Sequence, residues 1–158
     1  MRRPATVGCG MRYDDEYSPS PSAWVRDQVA AYERSGGTEG TTLPGSELPV
    51  VIVTMRGAKT GKLRKVPLMR VEHGGEYLAV ASKGGSPANP VWYHNLLADP
   101  AVQLRDATAV GAYTARQISD PQQRALWWQR AVAAYPPYAD YAAKAGRVIP
   151  IFLLSPAG

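Results

Sequence analysis

Apolar and polar positions first alternate on a helical period and then on a strand period. From Ser22 to Arg34 the apolar residues Val25, Val29 and Tyr32 fall on one face, with Trp24 and Ala31 beside it, which predicts an amphipathic helix. Ser22 is placed to cap it, and Gly36–Gly37 ends it. Loop residues follow, and then strand signals. Pro49–Met55 (PVVIVTM) is β-branched and reads as buried, Arg64–Val71 (RKVPLMRV) alternates more loosely, and Tyr77–Ala81 (YLAVA) follows a turn at His73–Gly74–Gly75. Asn89–Pro90 reads as an N-cap with proline at the first helical position, opening a short helix that Pro100 stops. Two more strands are expected near Ala101–Leu104 and Thr108–Gln117. A helix then starts at Asp120–Pro121, carries Trp128, Ala131, Val132 and Tyr135 on one stripe, and ends at Pro136–Pro137. A short helical piece with Tyr138 and Tyr141 precedes the last strand, Val148–Leu154.

The strands cluster rather than alternate regularly with helices. That order predicts an α+β, mainly β fold, an antiparallel sheet or small barrel with helices packed outside, and argues against a doubly wound sheet. Residues 1–21 carry no period and read as a flexible tail, leaving 22–158 as a single domain with an N-terminal helix. With 158 residues, 45% hydrophobic and 20% charged, the chain has the profile of one soluble domain, and no apolar run reaches the length of a membrane span. The single cysteine, Cys9, has no internal disulfide partner, and no secretory signal is evident, so a cytoplasmic setting is expected.

Charge sharpens the picture. The net charge is +5, and the stretch from Thr54 to Glu72 accounts for all of it: Arg56, Lys59, Lys62, Arg64, Lys65 and Arg70 stand against Glu72 alone. A local basic patch of this kind is either a solvated face or a site for an anionic partner. Its core, Arg56-Gly-Ala-Lys-Thr-Gly-Lys-Leu-Arg64, lies between two strands, where glycines free the backbone to turn and present N–H groups to phosphate. It is not a Walker A loop, because Leu63 stands where a magnesium-binding hydroxyl is needed. A plain basic hairpin turn is the other reading. A second glycine-rich element, Ala81-Ser-Lys-Gly-Gly-Ser86, follows a strand and precedes a helix start, so Ser82, Lys83 and backbone donors there can complete an anion site or meet the edge of a ring.

Other chemistry is sparse. His73 lies in a turn and His94 mid-helix, with no further ligands at metal-binding spacing, so no metal is expected. No G-x-S-x-G nucleophile elbow is present. Trp24, Trp127 and Trp128 are expected in the core. Tyr135, Tyr138 and Tyr141 recur at intervals of three across a Pro-Pro break and suit the wall of a pocket for a planar substrate, although a helix packed by its tyrosines fits the same spacing.

Taken in order, VTMRGAKTGKLRKVPLM, YLAVASKGGSPANPVWYHNL, YPPYADY and RVIPIFLL resemble the deazaflavin-dependent nitroreductase and quinone reductase family, over roughly Pro49 to Pro156. The pairing of G-x-K-T-G-x-x-R with A-S-K-G-G…N-P-x-W-Y-x-N-L carries the resemblance. It implies a split β-barrel, like that of FMN-binding split-barrel proteins, that binds reduced coenzyme F-420. This deazaflavin carries a phosphodiester and an oligoglutamate tail, which would account for the basic patch. By the family pattern Lys59, Arg64 and Lys83 bind phosphate and tail carboxylates. Pro67, Leu68 and Met69 lie along the ring, Ser82 and Asn95 near its polar edges, and Trp92 shapes the groove. Tyr135, Tyr138 and Tyr141 form a substrate-side wall facing Ser82. Ala58, Leu63 and Met69 depart from common family residues and leave the three main cations intact.

The implied reaction is hydride transfer from the reduced deazaflavin to an electron-poor acceptor, a quinone first of all, with nitroaromatic or nitroimidazole compounds as side substrates. Ser82 and Tyr138 would steady the acceptor oxygen as it gains charge. A menaquinone-type acceptor would bring the protein to the membrane surface, with Trp24 and basic charge helping it dock, while nucleic acid is not an expected partner. Two rivals share the pattern: an FMN-binding split-barrel oxidoreductase, and a basic nucleic-acid-binding barrel with aromatics to stack bases.

Overall fold

The computed structural model describes residues 16–157. Cys9 and most of the tail expected over residues 1–21 lie outside them. Seven antiparallel strands form one sheet: β1 (Val50–Arg56), β2 (Leu63–Met69), β3 (Glu72–His73), β4 (Glu76–Val80), β5 (Ala101–Asp106), β6 (Ala109–Gln117) and β7 (Ile151–Pro156). Their spatial order is β2-β1-β5-β6-β7-β4-β3. The chain just after β2 returns against β4, where Leu78 N–H donates to Val71 O at 2.9 Å, so the sheet curls into a half-barrel. Among the described residues four α-helices pack around it: α1 (Ala23–Arg34), α2 (Val91–Ala98), α3 (Pro121–Ala134) and α4 (Pro137–Ala145).

Register decides which side chains share a face. In the β4–β7 pair, Tyr77 opposes Leu154 and Ala79 opposes Phe152, while Leu78 opposes Leu153 and Val80 opposes Ile151. The first set joins Val51, Val53, Met55 and Leu104 in the barrel interior, closed by Leu96 of α2. The second set packs outward against Trp127 and Ala131 of α3 and Tyr138 of α4. On β1 the outward residues Val50 and Ile52 meet Val29 and Tyr32 of α1. Strands buried on both faces read as continuous apolar runs, which is why PVVIVTM lacks alternation.

Local expectations are largely met, with informative differences. Asp120 caps α3 by accepting Gln123 N–H at 2.8 Å, with Pro121 in the first turn. Ser22 occupies the N-cap of α1, but its side chain makes no capping bond. Pro90 rather than Asn89 takes the N-cap position of α2, because the Asn89 amide oxygen is held elsewhere. The inward line of α3 is centred on Trp127 and Ala131, and Trp128 is half-buried beside it. Trp24 was expected in the core and is instead 54% exposed, because α1 turns Val29 and Tyr32 inward and leaves its first residue beyond the sheet. Of the tail, Glu16–Ser18 runs beside β2: Leu63 N–H donates to Glu16 O and Ser18 N–H to Leu63 O, both at 2.8 Å. No helix among the described residues is long and apolar enough to cross a membrane.

Candidate functional site

The β1–β2 connection turns tightly through Gly57–Lys62. Gly57 N–H donates to Lys62 O at 2.7 Å, Gly61 N–H to Gly57 O at 2.9 Å, and Gly61 adopts φ +74°. Outside support comes from α2, where buried Asn95 accepts Ala58 N–H through Oδ1 at 2.9 Å. Arg56 ties the same loop from within, donating to Gly61 O at 2.6 Å and facing Asp99 at 3.8 Å.

Ion pairing sorts the basic patch. Lys62 meets Glu16 at 3.3 Å, Lys65 meets Glu33 of α1 at 2.6 Å, and Arg70 meets Asp106 at 2.8 Å. Lys59 and Arg64 have no acidic partner among the described residues. Strand pleat explains the division on β2. Arg64 opposes Met55 and shares the strand face of Val66 and Leu68, whereas Lys65 opposes Thr54 on the face of α1. Pro67, Leu68 and Met69 alternate in the same way, so their side chains do not share a face. Leu68 packs into the barrel cluster, and Met69 packs beneath α1. What the three residues share is the backbone of a sheet-edge strand.

The second glycine element lies after β4. Lys83, Gly84 and Gly85 have φ of +47°, +64° and +86°, following Ser82 at −78°. The reversal brings successive amides toward one side, and the N–H groups of Ser82, Lys83 and Gly84 have no acceptor among the described residues. Lys83 lacks an acidic partner, and the hydroxyl of buried Ser82 lacks a hydrogen bond, again among those residues. Gly85 packs directly on α4: a Cβ there would lie 3.3 Å from Tyr141 Cα and 3.1 Å from Lys144 Cδ.

That contact joins the loop to the tyrosines. Tyr135 and Tyr138 are edge-to-face at 4.9 Å, Tyr141 lies 6.1 and 6.2 Å from them, and Trp128 lies 6.2 Å from Tyr138. The Tyr135 and Tyr141 hydroxyls are 3.3 Å apart, and that bond, with burial, pushes the Tyr135 phenol up to about 12. Burial likewise raises Tyr138, whose ring is in the core. Its hydroxyl has no partner among the described residues.

Contacts thus join the 81–86 loop to the tyrosines of α4, and α2, which follows that loop in the chain, holds the hairpin loop. Trp92 and Asn95 lie three residues apart on that helix, Trp92 against Phe152 at 6.2 Å and Asn95 on the hairpin loop. His73 and His94 are exposed. Sequence reasoning missed Arg147, which donates to Ala81 O, Ser82 O, Ser86 O, Ala88 O and Asn89 Oδ1 at 2.6–3.3 Å. The available signal was a lone cation heading the apolar run VIPIFLL.

Residues 24–156 match the model of a family described as F420H(2)-dependent quinone reductase. An F420H(2)-dependent quinone reductase of Mycobacterium tuberculosis is 34% identical over 133 residues, which cover 83% of this chain and 89% of the relative. A solved structure described as an F420-H2 dependent reductase is 48% identical, with a TM-score of 0.64, and covers 70% of this chain and 100% of its own. Another, described as a domain-swapped dimer, is 46% identical with a TM-score of 0.67, over 86% of this chain and 100% of its own.

Proposed function

The chain belongs to the F420H(2)-dependent quinone reductase family, split β-barrel oxidoreductases whose cofactor is coenzyme F-420, and on that premise we propose that its two glycine loops hold the coenzyme and its tyrosines face the acceptor. One observation carries the reading. Among the described residues, four of the six cations between Thr54 and Glu72 are matched by acids, and the two left over, Lys59 and Arg64, are those that the family pattern assigns to phosphate.

The residues suit the group. A phosphodiester and a run of carboxylates need cations with no internal partner and N–H donors with no internal acceptor. Among the described residues, Lys59, Arg64, Lys83 and the three amides from Ser82 to Gly84 supply both. In this reading the edge backbone of Pro67–Met69 runs along the ring, with Trp92 flanking the groove. Ser82 lies at a polar edge of the ring, while Asn95 acts through the Ala58 amide that it holds.

When bound, the reduced coenzyme supplies a hydride to the acceptor. The protein orients the two partners, excludes water with its aromatic wall, and meets the charge that develops on the acceptor oxygen. Ser82 and Tyr138 are the proposed donors, both buried and both without a hydrogen bond at the hydroxyl among the described residues. A phenol pushed upward by burial keeps its proton at rest and serves as a hydrogen-bond donor, and the proton that completes reduction comes from a tyrosine of the wall or from water. The preferred acceptor is a quinone, and nitroaromatic or nitroimidazole compounds are side substrates because a nitro oxygen presents the same accepting geometry. A menaquinone-type acceptor resides in a bilayer, and exposed Trp24 at the start of α1 is the proposed anchor for peripheral docking.

A fluorescence-quenching titration with coenzyme F-420, run beside FMN and a short oligonucleotide, tests the reading. Preference for the deazaflavin supports it. Tight FMN binding without quenching of the deazaflavin would keep the fold and overturn the cofactor site, and oligonucleotide binding that weakens steeply with salt would favour a nucleic-acid barrel.

A further inference from the structure

We propose that Arg147 is a positioning residue of the coenzyme site: its guanidinium gathers the inward carbonyls of the 81–89 loop and so turns the loop's amides toward the ligand. The inference rests on the reading that this loop contacts the coenzyme.

A guanidinium presents five N–H donors in a rigid plane. Here Nε donates to Ser86 O at 3.0 Å and Nη1 to Asn89 Oδ1 at 2.6 Å, while Nη2 faces Ala81 O, Ser82 O and Ala88 O at 3.1, 3.3 and 3.0 Å. All three nitrogens are engaged with a loop that lies some sixty residues earlier in the chain. Among the described residues no carboxylate competes for Arg147, so its charge is spent on carbonyl dipoles.

The consequence follows from the planar trans peptide, in which C=O and the next N–H point in opposite directions. With Ala81 O and Ser82 O drawn toward Arg147, the N–H groups of Ser82 and Lys83 must point away from it. Those are two of the three consecutive amides that lack an acceptor among the described residues. A cation on each carbonyl also polarises its peptide and strengthens the opposite N–H as a donor. The positive φ of Lys83, a strained conformation for a side-chain-bearing residue, then has a restraint that holds it in place. Through Asn89 the same guanidinium fixes the entry to α2, and Asn95 on that helix holds Ala58 in the other basic loop. Arg147 therefore sets both the orientation of one donor group and the spacing between the two loops.

Arg147 also borders a groove of about 440 Å³ shared with Arg124 and Trp128, which supplies an internal control. Arg124 lies over the Trp128 ring at 5.7 Å and makes no hydrogen bond to the 81–89 loop.

The test measures coenzyme Kd by fluorescence quenching for Arg147→Ala, Arg124→Ala and Lys83→Ala, with folding checked by near-UV circular dichroism. Arg147→Ala is expected to weaken binding by about tenfold or more, and low millimolar guanidinium, but not urea, is expected to recover most of the loss. Arg124→Ala should remain within about twofold of the parent protein, on the ordinary scale for a surface substitution. A folded Arg147→Ala with parental Kd, beside a weakened Lys83→Ala, overturns the inference and leaves the site reading standing. Parental Kd in both variants overturns the site reading itself. Should Arg147→Ala not fold, Arg147→Lys keeps the charge and loses the planar fork, so unchanged affinity in that variant is equally fatal. Amide hydrogen exchange of the coenzyme-free protein gives a readout independent of the ligand. Faster exchange across 82–88 in a folded Arg147 variant supports the restraint, and an unchanged pattern counts against it.

Discussion

Asn95 and Ala58 are 37 residues apart in sequence, and the hydrogen bond between them, Ala58 N–H to Asn95 Oδ1 at 2.9 Å, fixes the basic hairpin loop to the face of α2. Both partners are polar groups of ordinary strength, but Asn95 is 4% exposed, so its amide has few alternatives in water. Losing one member leaves the other underused, which costs more than the bond contributes net.

Asn95→Ala should lower stability by about 1–2 kcal/mol and should also weaken coenzyme binding, because the loop that presents Lys59 loses its outer support. Urea denaturation beside a coenzyme titration separates the two effects. A stability loss with unaltered coenzyme Kd would confine Asn95 to packing.

The basic patch should divide by ion pairing. Lys59→Ala with Arg64→Ala is expected to reduce coenzyme affinity by roughly a hundredfold, from two charge-assisted contacts. Lys62→Ala with Lys65→Ala removes the same net charge from cations that already face Glu16 and Glu33, and should cost far less. Equal losses in the two double variants would point to a diffuse field in place of a site. The first pair should also flatten the salt dependence of binding.

Tyr138→Phe keeps the buried ring and removes a hydroxyl that has no partner among the described residues. Turnover should fall by about ten- to a hundredfold if that hydroxyl meets the developing charge, while coenzyme Kd changes little. Steady-state kinetics with a soluble quinone beside the quenching titration would show the split, and loss of coenzyme binding would move the residue to the cofactor side.

Alkaline titration should report the Tyr135–Tyr141 bond. The hydrogen bond and burial hold Tyr135 at about 12, against an ordinary value of 10.0, so its neutral form is favoured in the native state. The stability this contributes is complete below pH 10 and is lost as pH rises from there toward 12. Tyr141→Phe should bring the Tyr135 phenolate absorbance transition back down and make stability less steep in that window. An unmoved transition would show that the pair is not bonded in solution.

Gly37→Ala should destabilise the fold by more than about 2 kcal/mol, without a role in the site. Gly37 has φ +91°, and a Cβ there would fall 1.8 Å from Ala107 O, on the backbone of the β5–β6 turn. Thermal unfolding reads the loss, and coenzyme affinity of the folded fraction should stay at the parental value.

Much of this was legible in the chain because it depends on neighbours in sequence. Asp120–Pro121 opens α3 as expected, since a cap and a fixed φ act within one turn. The clustered strands gave an antiparallel sheet, and the glycines of both loops marked where the backbone turns back. Family motifs singled out Lys59, Arg64 and Lys83, but nothing in the basic run itself distinguished Arg64 from Lys65.

The structure made that distinction through pleat and register. Arg64 opposes Met55 and shares a face with Leu68, while Lys65, one residue on, points to Glu33 of a helix thirty residues earlier. The same geometry put Trp24 outside the core and divided Pro67, Leu68 and Met69 between two faces. Arg147 is the clearest case. Its sequence neighbours are Gly146 and Val148, yet its five acceptors lie between Ala81 and Asn89. By itself the sequence determined which segments form helices, strands and turns, and which residue types could meet an anion. Which cations stay uncompensated, and which carbonyls one guanidinium collects, was decided only when distant strands and helices packed, because ion pairing and hydrogen bonding depend on distance in space.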